Sequence, residues 1–394
     1  MEIYKLIHRI ILKSFKKISF LNKLIPTLPA SEILSIKDWL FANQNSKKYT
    51  VLNQSYADNK KDIFSNADNY IFKNLERLIY PEIYIAEIGE ALVCKKTGFA
   101  INSKTKVLFL ETNIYGNFYL NYIKFNNSFG LSKIWRINNS RATFIFSGFN
   151  YYHWHFEFLY RLIKFKEQFN SSLKIYSNYS DSNAEKWQKE ILEIFNIKHS
   201  DLEIIPANIN YIVIPNFYFI SFGGLGAGIP NKSSILFLNN YLKTQFNVKD
   251  SELNYKRVYI SRKKAKKRKV ENEAELEYML INSFGFKVFN MEDFRVCEQY
   301  EIFRNAEVVV AIHGPALTNL IASSKKMKVV ELLNEKHIQA CYYQIATSLE
   351  MEYFAFLCKS VDNISQNSVK DCFVSNNIYV DLEKLNKLLL NILN

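Results

Sequence analysis

The chain is 394 residues long, 48% apolar and 15% aromatic, which excludes a disordered chain and exceeds what one core usually fills, so two domains are expected. Its net charge of +13 is concentrated in residues 1–25, with six cations against Glu2, and in residues 262–269, with seven cations and no acid. The near-neutral remainder speaks against a nucleic-acid surface, which would spread cations over a face, and five scattered cysteines without a CxxC pair point to a reducing compartment with no disulfide framework or zinc site.

Ile3, Ile7, Ile10, Ile11, Ile18, Leu21 and Ile25 recur at helical spacing between lysines and arginines until Pro26, predicting a basic amphipathic helix over residues 1–28. Such a helix lies either on an anionic membrane surface, each nearby cation contributing roughly 1 kcal/mol, or against the protein with a solvated basic face. It lacks the uncharged core and small-residue cleavage site of a signal peptide. The longest uncharged stretch, Ile204 to Asn231, contains three prolines and four glycines. Buried strands and a glycine loop explain it better than a spanning helix, and no transmembrane helix is expected.

Residues 29–245 read as a first α/β domain, with strands at 81–86, 106–110, 141–146, 173–176 and 211–215. Within it, Tyr151 to Leu162 reads as a helix whose first turn is crowded with polar and aromatic groups. His153 and Glu157 stand at i and i+4 on one face, where a carboxylate orients an imidazole and raises its proton affinity. His155 lies between them. The glycines of Gly223-Gly224-Leu225-Gly226-Ala227-Gly228 mark an interdomain hinge or a cleft loop.

After Asp250 short apolar strands alternate with helices. Strands are expected at 257–261, 286–289, 307–312, 328–333 and 352–357, and helices at 273–283, 297–305, 315–322 and 338–349. That alternation predicts a parallel sheet with helices on both faces and a ligand crevice at the carboxyl ends of its strands. This second domain spans residues 250–375. In residues 376–394 Asp381 caps a last helix through Leu393, expected to pack back across the domains.

The strongest motif is His313-Gly314-Pro315-Ala316-Leu317-Thr318-Asn319. It is a tight turn at a strand end followed by a helix start, and the amides and dipole of such a start suit a phosphate. Thr318 and Asn319 add side-chain donors, whereas Pro315 removes one backbone donor. The same residues also fit a plain turn with a capped helix.

Val258-Tyr259-Ile260-Ser261-Arg262, Arg268-Lys269-Val270-Glu271-Asn272-Glu273, Glu298-Gln299, Ala306 through Gly314, Leu317-Thr318-Asn319 and Val329-Val330-Glu331-Leu332 follow one another in an order and spacing that resembles glycosyltransferase family 61. The clear similarity covers Val258 to Leu333, and a weaker one covers Tyr151 to Leu162. The resemblance implies an α/β protein of GT-B-like architecture, two Rossmann-like domains with a cleft between them. It also implies transfer of a sugar with inversion and without a metal. Independently, the chain contains no Asp-x-Asp, the usual carboxylate pair for a diphosphate-bound cation.

On that basis Arg262, Arg268, Glu273, His313, Gly314, Leu317, Thr318, Asn319 and Glu331 are the expected donor-binding residues. Arg262 can pair bidentately with phosphate, and most lysines of 263–269 are expected to be solvated. Glu331 is expected to accept from ribose hydroxyls, and Glu273 either to do so or to cap its helix with Asn272. An inverting transfer needs one base on the acceptor hydroxyl. Glu157, His153 and His155 are the candidates, unless they are core residues with satisfied hydrogen bonds.

The donor is expected to be a nucleotide sugar, most simply a UDP-sugar, with no other cofactor and no nucleic-acid partner. The acceptor is expected to be a glycan or glycolipid of bacterial surface polysaccharide, met in the cytoplasm or on the inner membrane face. A protein O-glycosyltransferase and a catalytically inactive glycan- or nucleotide-binding scaffold are the alternatives.

Overall fold

A computed structural model describes residues 32–44, 48–58, 78–105, 107–112, 133–138, 141–146, 150–169, 173–179, 184–225, 228–245, 255–323, 326–361 and 376–393. The amphipathic segment 1–28 lies outside them. Among the described residues no helix is long and apolar enough to cross a membrane.

The first sheet is built on two long strands, Ile83–Cys94 and Tyr211–Ile220, paired antiparallel. Pro215 has no N–H to give to a ladder, and the register shifts between Ile214 and Phe217. Ala100–Asn102 and Val107–Phe109 continue the sheet antiparallel on one side. On the other side Ala142–Phe144, Lys174–Ser177 and Glu203–Ile204 continue it in parallel. The sheet is therefore mixed: besides this second side, Glu32–Leu34 joins Val107–Phe109 and Ile134–Arg136 joins Tyr211–Ile220 in parallel, but its two long central strands pair antiparallel, unlike a Rossmann-like sheet.

The second sheet follows the order Lys287–Phe289, Arg257–Ile260, Val308–Ile312, Lys328–Asn334, Glu352–Val361, every pair parallel. Its central strand Val308–Ile312 is buried throughout, as a strand covered on both faces must be. The alternation in the sequence had this arrangement, but not the antiparallel edge strand Asn377–Tyr379, which is too short to show a period. The helix Glu273–Phe284 ends on Gly285 at φ 66°, a left-handed C-cap.

The last helix, Leu382–Leu393, carries Asp381 as its cap, whose Oδ1 accepts from the Lys384 N–H at 3.1 Å. Leu385, Leu389 and Ile392 pack with Leu276 and Leu280. Among the described residues the helix thus packs on the second unit and not across to the first, its buried leucines and Ile392 lying in the cluster of the second sheet and the Glu273–Phe284 helix.

One apolar cluster runs from Trp154, Leu162 and Leu238 to Val309, Leu317 and Ile345, so both sheets border a shared core. Polar contacts fix the same boundary. Tyr151 Oη donates to Asn319 Oδ1 at 2.7 Å, and the Val296 N–H donates to Glu190 Oε2 at 2.7 Å. Asn239 Nδ2 donates to the carbonyls of Ile321 and Ser323, each at 2.8 Å. Two described glycines of the glycine segment are closely packed. A Cβ on Gly223 would stand 2.7 Å from Ser234 Cβ, and one on Gly224 would stand 2.2 Å from the Ile229 carbonyl, so both glycines serve close approach.

Candidate functional site

The Val308–Ile312 strand delivers His313 to the carboxyl end of the second sheet, where its N–H donates to the Leu332 carbonyl at 3.0 Å. The ring is buried, and Nδ1 lies 2.5 Å from Glu331 Oε1. Glu331 sits on the neighbouring strand, fully enclosed, and Tyr353 Oη of the next strand donates to its Oε2. A carboxylate taken out of water needs such partners on both oxygens. Glu331 therefore has no oxygen to offer a ribose, and the expectation of direct contact is corrected to a contact with His313.

Gly314 continues the turn in extended backbone, and Pro315 opens a 3-10 helix, Pro315–Ala322. The space a side chain would fill at Gly314 belongs to Arg262, whose Nη1 lies 2.3 Å from an ideal Cβ. Arg262 donates weakly to the carbonyls of Arg268 and Lys267, both at 3.3 Å. Neither Arg262 nor Arg268 has an ion-pair partner among the described residues. Burial, then the charge of Arg268, brings the Arg262 guanidinium down to about 10. Arg268 itself holds a left-handed backbone conformation, φ 57°. The lysines behave differently, as Lys263 pairs with Glu277 and Lys264 with Asp293, facing outward.

Arg268, His313, Asn334 and His337 line one small pocket at this strand end. The His337 ring stands 6.0 Å from that of His313. Burial, then His313 and Arg268, pushes its proton affinity below the ordinary value. Tyr342 packs 5.1 Å from the His313 ring and 5.7 Å from Tyr152, so it joins the turn to the helix of the first unit.

That helix has three parts, Tyr151–His153, a π-helical turn over Trp154–Leu159, and Tyr160–Phe169. Asn150 caps its start by accepting from the Tyr152 N–H at 2.9 Å. The widened turn, with the Tyr160 N–H reaching the His155 carbonyl, inserts one residue, and the side chains from Trp154 to Leu159 are all buried; such turns recur at functional sites. His153 Nδ1 lies 2.6 Å from Glu157 Oε1, as the i and i+4 spacing required. Glu157 is buried, and its Oε2 has no hydrogen-bond partner among the described residues. His153 is the more open of the two, with 24% of its side chain exposed.

His155 is of another kind. It is fully buried, Nδ1 lies 2.7 Å from the Tyr151 carbonyl and Nε2 lies 2.6 Å from Tyr300 Oη. With both nitrogens engaged it cannot serve as a base, and its place among the candidates is corrected to a tie between the units. Asn319 is corrected likewise, since Tyr151 and Gln299 take its two amide atoms. Leu317 is core. Glu273 is buried, with Oε1 accepting from Tyr259 at 2.9 Å and Ser261 at 2.7 Å, and so anchors the strand that presents Arg262. Thr318 is buried one turn behind the loop.

Tyr342, Tyr353 and His337 belong to the site and carried no signal in the sequence. Each contributes through a neighbour three-dimensionally adjacent but 20 or more residues away in the chain. Among the described residues no cluster of His, Cys, Asp and Glu has the form of a metal site, and Cys94, Cys297, Cys341 and Cys358 are free thiols.

No curated protein matches the chain. The family model described as Glycosyltransferase 61 matches residues 151–330, a span that begins with the His153–Glu157 helix and ends beyond the His313–Gly314 turn. Residues 151–330 thereby belong with glycosyltransferase family 61, and the match supports glycosyltransferase activity.

Proposed function

We propose that the enzyme transfers a sugar with inversion and without a metal from a nucleoside-diphosphate donor to a glycan or glycolipid acceptor, its two units acting as the halves of a GT-B-like cleft. The observation that carries this reading is the pair Arg262 and Arg268, held against the His313–Gly314 turn at the ends of parallel strands with no ion-pair partner among the described residues. Two half-buried cations kept together are costly unless a ligand supplies the counter-charge. A diphosphate has that charge and the bidentate geometry a guanidinium prefers.

On the acceptor side the geometry favours His153 as the base and Glu157 as the group that orients it. His153 is the exposed member, and the buried Glu157 reaches outward only through it. The acceptor oxygen would form its bond to the anomeric carbon as its proton passes to His153, while the sugar–phosphate bond breaks and its electron pair leaves with the diphosphate. A UDP-sugar donor, a bacterial surface polysaccharide as product, and attachment to the inner membrane face through residues 1–25 complete the proposal. The charge of those residues supports the last point.

The test is thermal-shift measurement against UDP, GDP, CMP and their sugars. A ligand at 100 times its Kd contributes about 2.7 kcal/mol, so one nucleotide should raise Tm by several degrees without added metal. If none of them does, the donor reading is wrong.

A further inference from the structure

Resting on the reading above, we infer that Tyr151 and Asn319 are positioning residues whose hydrogen bond ties the His153 helix to the donor turn, so that a filled donor site stiffens that helix. Tyr151 precedes His153 by two residues in the helix Tyr151–His153. Asn319 lies in the 3-10 helix Pro315–Ala322, which opens directly from Gly314. The 2.7 Å contact between them therefore joins the two sides of the reaction, with no loop between either partner and its own part of the site.

The polarity of the contact is set from the far side. Gln299 Nε2 donates to the carbonyls of Met291 at 2.9 Å and Phe294 at 3.0 Å, which turns its Oε1 toward Asn319. Asn319 Nδ2 donates to that oxygen at 3.0 Å, and its Oδ1 is left to accept from Tyr151 Oη. Asn319 is fully enclosed, and turning its amide over would set two carbonyl oxygens against each other, so a single arrangement is stable. Tyr151 is held through its main chain as well. His155 Nδ1–H donates to the Tyr151 carbonyl, and Tyr300 Oη, next in sequence to Gln299, donates to His155 Nε2. Both ends of Tyr151 are thus tied to the helix Val296–Asn305.

The 3-10 helix is gripped beyond Asn319 too, since Asn239 Nδ2 takes the carbonyls of Ile321 and Ser323. Leu317 and Ile321 lie in the apolar cluster shared with Trp154 and Leu162. Hinge closure needs an interface that parts, whereas a buried, paired seam opens only together with the structure on both sides of it. A nucleotide that holds the donor turn folded therefore also holds the helix from Tyr151 onward, and the tie carries that coupling.

The experiment is amide hydrogen exchange of the full chain with and without whichever of UDP, GDP and CMP gives the largest thermal shift. At about 100 times its Kd, that nucleotide slows exchange through openings that release it by about 100-fold. In the wild type the slowest amides of residues 151–169 and 296–305 should slow by the same factor, within about twofold. Tyr151→Phe removes only a hydroxyl and keeps the ring in place. In this variant residues 296–305 should keep the full gain, while residues 151–169 should gain about fivefold less, the worth of the lost hydrogen bond. Leu389→Ala weakens the second unit's core away from the seam and should leave the two gains equal. A merely structural role for Tyr151 predicts that same equality in Tyr151→Phe. Equal gains in Tyr151→Phe, or unequal gains in the wild type, overturn this inference alone. Absence of binding by all three nucleotides overturns the donor reading, and this inference with it.

Discussion

Arg262 occupies the volume that a side chain at position 314 would need, with Nη1 2.3 Å from the ideal Cβ of Gly314. The glycine is required by this contact and not by its backbone, which is extended and open to any residue. Gly314→Ala should therefore leave stability within about 1 kcal/mol of wild type, since the atom displaced is the end of a flexible side chain. The guanidinium should swing off the turn, and nucleotide affinity should drop about tenfold or more, the worth of one charge-assisted hydrogen bond. Paired thermal melts with and without UDP check both halves.

Arg268 poses the opposite trade. Its charge depresses the proton affinity of Arg262, and its backbone sits at φ 57°. Both features cost stability in the empty protein. Arg268→Gln should accordingly melt at or above the wild-type temperature when empty and gain little from added nucleotide. A site whose cations are there for a ligand shows this inverse relation, as strained functional positions commonly do. Lys263 and Lys264, already paired outward with Glu277 and Asp293, should tolerate alanine with both properties nearly unchanged.

The second sheet was legible in the sequence because parallel strands buried on both faces read as continuous apolar runs, and Val308–Ile312 is such a run. The first sheet was not, since whether Ile83–Cys94 and Tyr211–Ile220 pair antiparallel depends on contacts between residues more than 100 positions apart. Of the site, the dyad of His153 and Glu157 was readable because helical spacing alone brings them together. The dyad of His313 and Glu331 was not, because it depends on the register between two strands, in which Ala311 stands opposite Glu331. Reading Asn319 and His155 as ligand-facing failed for one reason. Polar residues near a motif are equally suited to joining two packed units, and here Tyr151, Gln299 and Tyr300 claim them.

The acceptor base makes a separate prediction. His153→Gln should lower turnover about 10²- to 10⁴-fold, the range of a lost general base. Glu157→Gln should lower it less, since the imidazole remains and loses only its orienting partner. Both variants should keep the full thermal shift with nucleotide, because neither touches the second sheet. Equal stabilisation by nucleotide with unchanged turnover in His153→Gln would remove it from the reaction.

His155 should make the fold itself sensitive to acid. Burial pushes its proton affinity down to about 4, against a partial offset from the Tyr151 carbonyl. In the unfolded chain the same ring takes its proton near pH 6.5. The folded form therefore binds fewer protons in the window between, and stability is complete above about pH 6.5 and is lost as pH falls toward 4. The loss amounts to about 3 kcal/mol if the ring stays neutral in the folded protein throughout. A charged His155 would also carry an N–H on Nε2, so that Tyr300 Oη would have to turn from donor to acceptor, disturbing the tie between the helix of the first unit and Val296–Asn305. Urea midpoints measured from pH 7.5 to 4.5 should show this decline. His155→Gln should start less stable at neutral pH, by about 1–3 kcal/mol for the disturbed buried hydrogen bonds, and its midpoint should fall less steeply over the same range. If the variant loses stability with the same slope as wild type, the acid sensitivity lies elsewhere in the fold.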